Sequence, residues 1–119
     1  MGITTCKRCG EQLYSADSIA VRMGADCRAR YLAEALAGWQ DWQVAKARET
    51  VELGAVVPLP RDGIYGVVSS DGSVTYIIDT GLRTCTCKAA QHDRPCYHVP
   101  AALIERYGVT TAARTARAA

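Results

Sequence analysis

The chain has 119 residues, of which 49% are hydrophobic, and its fourteen basic and twelve acidic residues give a formal net charge of +2. This length fits one ordinary domain or two very small units. An aromatic content of 7%, without any phenylalanine, argues against one large self-sufficient core. The nearly balanced charge excludes a surface that is strongly basic throughout, so any contact with nucleic-acid phosphates must be local.

Sequence signals for a membrane or for secretion are not found. There is no run of about 18 apolar residues, and the N-terminus lacks the basic-then-apolar order of a signal peptide. We therefore expect a cytoplasmic protein without a membrane partner. In that reducing compartment the six cysteines favour metal binding over a disulfide framework, and bound metal would supply much of the folding free energy.

The first feature in chain order is a cysteine knuckle. The segment Cys6-Lys7-Arg8-Cys9-Gly10 places two thiols three residues apart, and its glycine lets the backbone turn back toward a metal. The segment Gly24-Ala25-Asp26-Cys27 then indicates a turn into a helix. Cys27 is thereby predicted in the first helical turn, where it can join the two knuckle thiols.

A long helix is predicted from this turn to about residue 52. Its side chains recur at steps of three and four residues, the spacing of one helix face. The residues of this face are Leu32, Ala35, Leu36, Trp39 and Gln43. Core packing is the simplest role for the face. However, Trp39 and Trp42 cannot easily both be buried in so small a protein, so both are kept as candidate partner-binding residues.

The second half of the chain changes to strand periodicity. Two runs of β-branched and aromatic residues, 64–69 and 73–78, are separated by a Ser70-Asp71-Gly72 turn and predict a β-hairpin with an open edge. The cysteines of the second cluster follow, and then Val99 to Tyr107 predicts a short helix that Gly108 ends. The predicted order of this half is strand, strand, metal loop and helix.

The second cluster consists of Cys85-Thr86-Cys87 and Cys96-Tyr97-His98, eight residues apart. Four ligands of this kind suit tetrahedral Zn²⁺, and a site filled by four protein ligands leaves no water to activate. A redox Cys-x-Cys pair would leave Cys96 and His98 unused, and a catalytic pair of those two residues would leave Cys-x-Cys unexplained. A structural zinc site uses all four, and we expect no enzyme.

This pattern, C-x-C-x8-C-x-H with a hairpin before it and Val99-Pro100-Ala101-Ala102-Leu103 after it, resembles a SWIM-type zinc finger over about residues 62–108. The resemblance implies that Cys85, Cys87, Cys96 and His98 hold zinc. It also implies binding of DNA or of a protein, as in bacterial helicase-like proteins and Mutator-type transposases, and no reaction.

The first cluster offers only three ligands, Cys6, Cys9 and Cys27. It resembles half of a treble-clef finger and a short three-cysteine domain of small actinobacterial and phage proteins. Arg30 stands where a treble clef would usually place the fourth ligand. The candidates for that ligand are Asp17, Asp26 and His92, since carboxylate and imidazole both bind zinc. We expect a second structural Zn²⁺ here, with a loosely held metal or no metal as the alternative.

Together the patterns predict an α+β protein of two small zinc-stabilised units. Residues 1–54 form a zinc knuckle and long helix, 55–61 a linker stiffened by its prolines, 62–108 a ββα finger and 109–119 a flexible tail.

The predicted function is that of a zinc-binding accessory protein that binds nucleic acid, DNA rather than RNA, within a larger complex. It rests on the SWIM resemblance and on basic residues near both clusters. Those residues are Lys7, Arg8, Arg28, Arg30, Arg83, Lys88 and Arg94. The alternative is a protein-interaction adaptor docking on a nucleic-acid enzyme through Trp39, Trp42 and the hairpin edge. Neither function involves a small-molecule substrate.

Overall fold

The computed structural model describes residues 4–69, 71–92 and 96–108, apart from the side chain of Asp17. These residues form a small mixed α/β protein with two compact units. One unit comprises the described residues up to Ala35 together with Tyr107 and Gly108, and the other runs from Leu36 to Arg106. Within the described part of the chain, no helix is long and apolar enough to cross a membrane.

The first unit begins with the cysteine knuckle. The amide of Cys6 donates to the carbonyl of Glu11 (2.8 Å), and Gly10, at φ +81°, makes the tight turn that closes the loop. Helix α1 (Ala16–Val21) follows, with Ser15 as its N-cap, and helix α2 spans Ala25–Leu36. The apolar residues buried in this unit include Leu13, Val21, Met23, Leu32 and Ala35.

The prediction of one long helix is wrong, because the chain breaks between α2 and helix α3 (Asp41–Glu52). Gly38 weakens the helix at this point. Gln40 then begins a new helix, since its backbone N–H donates to the Gln43 side chain (3.0 Å) and its carbonyl accepts from the Gln43 amide (3.0 Å). The steps of three and four residues continue across the break, so periodicity alone did not reveal it.

The second unit contains a four-stranded antiparallel sheet in the order β1-β2-β3-β4. Its strands are β1 (Val56–Pro58), β2 (Ile64–Val68), β3 (Thr75–Asp79) and β4 (Thr84–Cys85). The predicted hairpin is confirmed as β2 and β3. Strand β1 lies within the segment predicted as a linker, and it pairs with β2, while β4 pairs with β3. Strand β2 is therefore paired on both sides, whereas β4 pairs with Ile78 and Asp79 at the end of β3.

Two helices complete the second unit. Helix α4 (Lys88–Gln91) lies within the segment between the two ligand pairs, which the sequence had suggested as a plain loop. Helix α5 (His98–Tyr107) confirms the predicted C-terminal helix and begins on His98, a candidate metal ligand. The first turns of α5 are buried on every side, as are the inward residues of the central strands, among them Tyr65, Val67 and Ile78. The predicted tail, 109–119, lies outside the described residues.

Candidate metal centres

Four side chains predicted as ligands converge in the second unit. One ligand atom from each of Cys85, Cys87, Cys96 and His98 lies within 4.8 Å of all the others. The Cys85 Sγ is 3.8 Å from Nδ1 of His98. A sulfur and a nitrogen on one tetrahedral zinc are about 3.6 Å apart, as bonds of about 2.3 Å for Zn–S and about 2.0 to 2.1 Å for Zn–N require. The sequence spacing thus brings the four donors to the separations of a metal site.

The sheet positions the first pair of ligands. Cys85 ends β4 and pairs with Ile78 of β3. Thr86, between the two cysteines, is fixed to Ile77 of β3 by two hydrogen bonds. Its hydroxyl accepts from the Ile77 amide (3.0 Å), and its own amide donates to the Ile77 carbonyl (3.2 Å). Cys87 is the N-cap of α4, and its sulfur accepts from the Ala90 amide (3.5 Å). Both thiols are thereby held by backbone hydrogen bonds.

The second pair of ligands is held by aromatic side chains. The indole Nε1–H of Trp39 donates to the carbonyl of Cys96 (3.1 Å), although the two residues are 57 positions apart. The rings of Tyr76 and Tyr97 pack against the His98 imidazole, with centroids 4.6 and 4.2 Å away. Lys46 in turn lies 4.6 Å over the Tyr97 ring. This packing fixes the orientation that the imidazole needs as a ligand.

The thiols of Cys85 and Cys96 lie close enough together to change each other's pKa. The hydrogen bond from the Cys85 thiol lowers the pKa of Cys96 to about 3, and the same bond raises the pKa of Cys85. The two sulfurs thus share a hydrogen bond that favours the proton on Cys85. A divalent metal replaces such shared protons and binds every sulfur as a thiolate.

The donor set fits zinc. Three sulfurs and one imidazole nitrogen are the ligands of a Cys₃His structural site, and Cys87, Cys96 and His98 are all buried. A bound Zn²⁺ would find all four positions filled by the protein, so it would contribute folding free energy and no activated water.

The first cluster brings together three thiols, as the sequence predicted. The sulfurs of Cys6, Cys9 and Cys27 all lie within 4.8 Å of one another, and Cys27 is in the first turn of α2. Backbone N–H groups of Cys9 and Gly24 donate to the Cys6 sulfur and lower its pKa to about 6. Hydrogen bonds with the Cys6 and Cys9 side chains raise the pKa of Cys27 to about 11. The three sulfurs of this cluster are also close enough together to hold a metal ion, consistent with zinc.

The fourth ligand suggested for the first cluster is not found among the described side chains. Asp26 directly precedes Cys27, yet neither of its carboxylate oxygens belongs to the cluster. Arg30 has no lone pair that could bind a metal. The side chain of Asp17 lies outside the described residues. His92 belongs to the second unit and is part of neither cluster.

The basic residues predicted to contact nucleic acid differ in their exposure. Lys7, Arg8, Arg30, Arg83 and Lys88 are exposed. Arg8 also contacts the Cys27 carbonyl (3.4 Å) and Glu34 (3.3 Å).

Arg28 contradicts the prediction, since only 5% of it is exposed and it cannot serve as a surface phosphate contact. Arg28 lies four residues before buried Leu32 on α2, so the two share the inward face of that helix. Arg94 lies outside the described residues.

The two tryptophans also differ in exposure and in hydrogen bonding. Trp39 is half-buried and bonded to the Cys96 carbonyl, whereas Trp42 is 60% exposed and its indole donates to the Gln40 side chain (2.7 Å). Of the two tryptophans, Trp42 is the one that presents most of its apolar surface to solvent.

Sequence reasoning missed the residues that support the ligands, namely Trp39 as a hydrogen-bond donor, Tyr76, Tyr97 and Thr86. The one available signal was position, because Thr86 and Tyr97 each lie between two ligands.

A scan with protein-family models, a search of curated proteins and a search of solved structures each return no match to this chain.

Proposed function

We propose that the protein is a structural zinc protein whose second unit is a SWIM-type finger that binds nucleic acid, DNA in preference to RNA, as part of a larger complex. Cys85, Cys87, Cys96 and His98 would hold the zinc of this finger. The order of sheet, Cys-x-Cys, Cys-x-His and helix supports this proposal. Since the ligand set is closed, the metal would stabilise the fold and take no part in a reaction.

The observation that carries the nucleic-acid proposal is the exposed basic pair beside the first two ligands. Arg83 comes two residues before Cys85, Lys88 comes directly after Cys87, and both are exposed. The backbone between them is fixed to β3 through Thr86. A bound metal would therefore keep the backbone of these two basic residues in place, which favours contact of both side chains with a phosphate backbone.

A charge-reversal experiment tests this proposal. Fluorescence anisotropy with labelled single-stranded and duplex DNA, and with RNA, is measured for the zinc-loaded chain over a range of salt concentrations. We expect affinity to fall linearly on a logarithmic salt axis, with binding to DNA stronger than to RNA. Lys88→Glu should weaken binding at low salt by about fivefold or more.

The matched control is Arg48→Glu, which has the same change in charge at an exposed position of α3 in the same unit. It should weaken binding much less than Lys88→Glu. Absence of binding at low ionic strength would show that the proposal is wrong, and equal effects of the two variants would exclude this surface.

Exposed Trp42 favours a second candidate function, that of a protein-interaction adaptor docking on a nucleic-acid enzyme. A tryptophan that is 60% exposed is an anchor of the kind that dominates protein interfaces. The test is a pull-down from nuclease-treated extract. A specific protein that is retained by the wild type and lost with Trp42→Ala, while the zinc content is unchanged, would support the adaptor over the nucleic-acid binder.

A further inference from the structure

The two candidate metal centres differ in how completely the protein surrounds them. In the second cluster three of the four ligands are buried and Cys85 is half-buried. In the first cluster Cys6 is buried, Cys27 is half-buried and Cys9 is exposed. A metal held by the first cluster would therefore face solvent on the side of Cys9.

The described side chains provide three donors here and no fourth. The Cys6, Cys9 and Cys27 sulfurs form a group that no Asp, Glu or His of the described part of the chain joins. One turn beyond Cys27, where a fourth ligand could reach from the same helix face, the chain has Arg30. A guanidinium is a donor of hydrogen bonds only, so it cannot bind the metal.

We infer that the first cluster is a three-thiolate metal site whose fourth position binds a thiolate from outside the chain. This inference rests on metal binding by the first cluster and is independent of nucleic-acid binding. The external sulfur would come from a small cellular thiol or from a cysteine of a partner protein, and the ligand chemistry is the same in both cases.

Ligand chemistry and local charge both favour a thiolate. Zinc with three thiolate ligands commonly completes its shell with a fourth sulfur, as in Cys₄ sites. A fourth thiolate would raise the negative charge of the centre to −2. Lys7 lies between two of the ligands, and the Arg8 guanidinium is 3.4 Å from the Cys27 carbonyl, although Glu34 partly offsets Arg8. Together with Arg30, these exposed cations compensate the added charge.

Cobalt substitution in the full chain tests this inference. A mild chelator is used to remove one metal equivalent from the zinc-loaded chain, and Co²⁺ is then added. The exposed first site should exchange first. In the Cys9→Ser variant, which keeps only the second site, no zinc should be lost under the same conditions.

The sulfur-to-cobalt charge-transfer absorption then reports the number of thiolates. Titration with glutathione should raise this absorption by about one third, in a saturable one-to-one step, as three sulfur ligands become four. Imidazole at the same concentration should produce no such rise. A blocked Ser-Cys-Ser tripeptide distinguishes the sources, because tighter binding of the tripeptide than of glutathione indicates a partner's cysteine, and the reverse indicates a small thiol.

Three results would overturn the inference. The first is a charge-transfer absorption that glutathione and the tripeptide leave unchanged, and the second is a failure of the first cluster to bind Co²⁺. The third is a cobalt spectrum, recorded without added thiol, that changes in Asp17→Ala, Asp26→Ala or His92→Ala. The last would show that the chain itself provides the fourth ligand. None of these results bears on the nucleic-acid assay, which depends on Lys88 in the other unit.

Discussion

At the scale of single residues, the second cluster depends on side chains that hold the ligands in place as well as on the ligands. Trp39 binds the Cys96 carbonyl, and Tyr76 and Tyr97 pack on the His98 ring. Such support orients ligands before the metal binds and so raises metal affinity. The half-buried tryptophan is thereby accounted for without a partner, whereas Trp42 is not.

Replacing Trp39 with phenylalanine tests this assignment. Trp39→Phe keeps most of the ring but removes the N–H that the Cys96 carbonyl accepts, and we expect a loss of about 1 to 2 kcal/mol in the free energy of unfolding. Trp42→Phe is the matched control and should change it by no more than about 0.5 kcal/mol. The measurement is denaturant unfolding with excess zinc. Equal effects of the two variants would contradict the supporting role of Trp39.

At the scale of elements, the register of the sheet decides where Cys85 lies. Strand β3 pairs with β2 on one side and with β4 on the other, and Gly66 of β2 stands opposite Ile77 of β3. A Cβ on Gly66 would come within 3.0 Å of Thr75 Cγ2 and 3.4 Å of Val57 Cγ2. Glycine therefore permits the close approach of three strands at this point.

Gly66→Ala should destabilise the protein by about 1 to 2 kcal/mol, because β-branched Thr75 and Val57 have little freedom to move away. Thr75→Ser removes the methyl group that the new Cβ would meet. The double variant should recover part of the loss, as a double-mutant cycle of unfolding free energies would show. If the two changes are simply additive, the register described for β2 and β3 is wrong.

At the scale of the whole molecule, bound metal would change the net charge that a charged partner meets. The formal charge of +2 falls to about zero when six thiolates bind two zinc ions. Attraction of nucleic acid must therefore come from a few local cations such as Lys88 and Arg83. We expect the slope of log affinity against log salt to be no steeper than about −3, and a slope near −8 would require a larger basic surface.

Sequence reasoning predicted the chemistry of the clusters better than the path of the chain. The spacing of Cys85, Cys87, Cys96 and His98 was sufficient to predict that they meet, because ligand type and spacing are local properties. The break before α3 was missed because Gln40 and Gln43 form its cap, and these are not the residues that usually mark a helix start. The Trp39 contact with Cys96 joins residues 57 positions apart, and no local pattern encodes it.

Burial was the other property that the sequence did not provide. Arg28 and Arg30 look alike as basic residues beside Cys27, yet Arg28 is buried and Arg30 is exposed. Strand β1 was not predicted because Pro58 suggested a linker. Proline is nevertheless tolerated at the end of an edge strand, and β1 is such a strand.

We propose that two metal centres hold this fold together, and zinc content measured together with folding tests this most directly. The chain purified under reducing conditions should contain two zinc ions per molecule. Cys96→Ser should lose the zinc of the second unit and unfold that unit, because the binding free energy of structural zinc, about 10 to 16 kcal/mol, rivals the whole stability of a small domain. Cys9→Ser should lose only the other ion. A wild-type chain without zinc, or a Cys96→Ser chain that keeps its circular dichroism and both ions, would contradict the account.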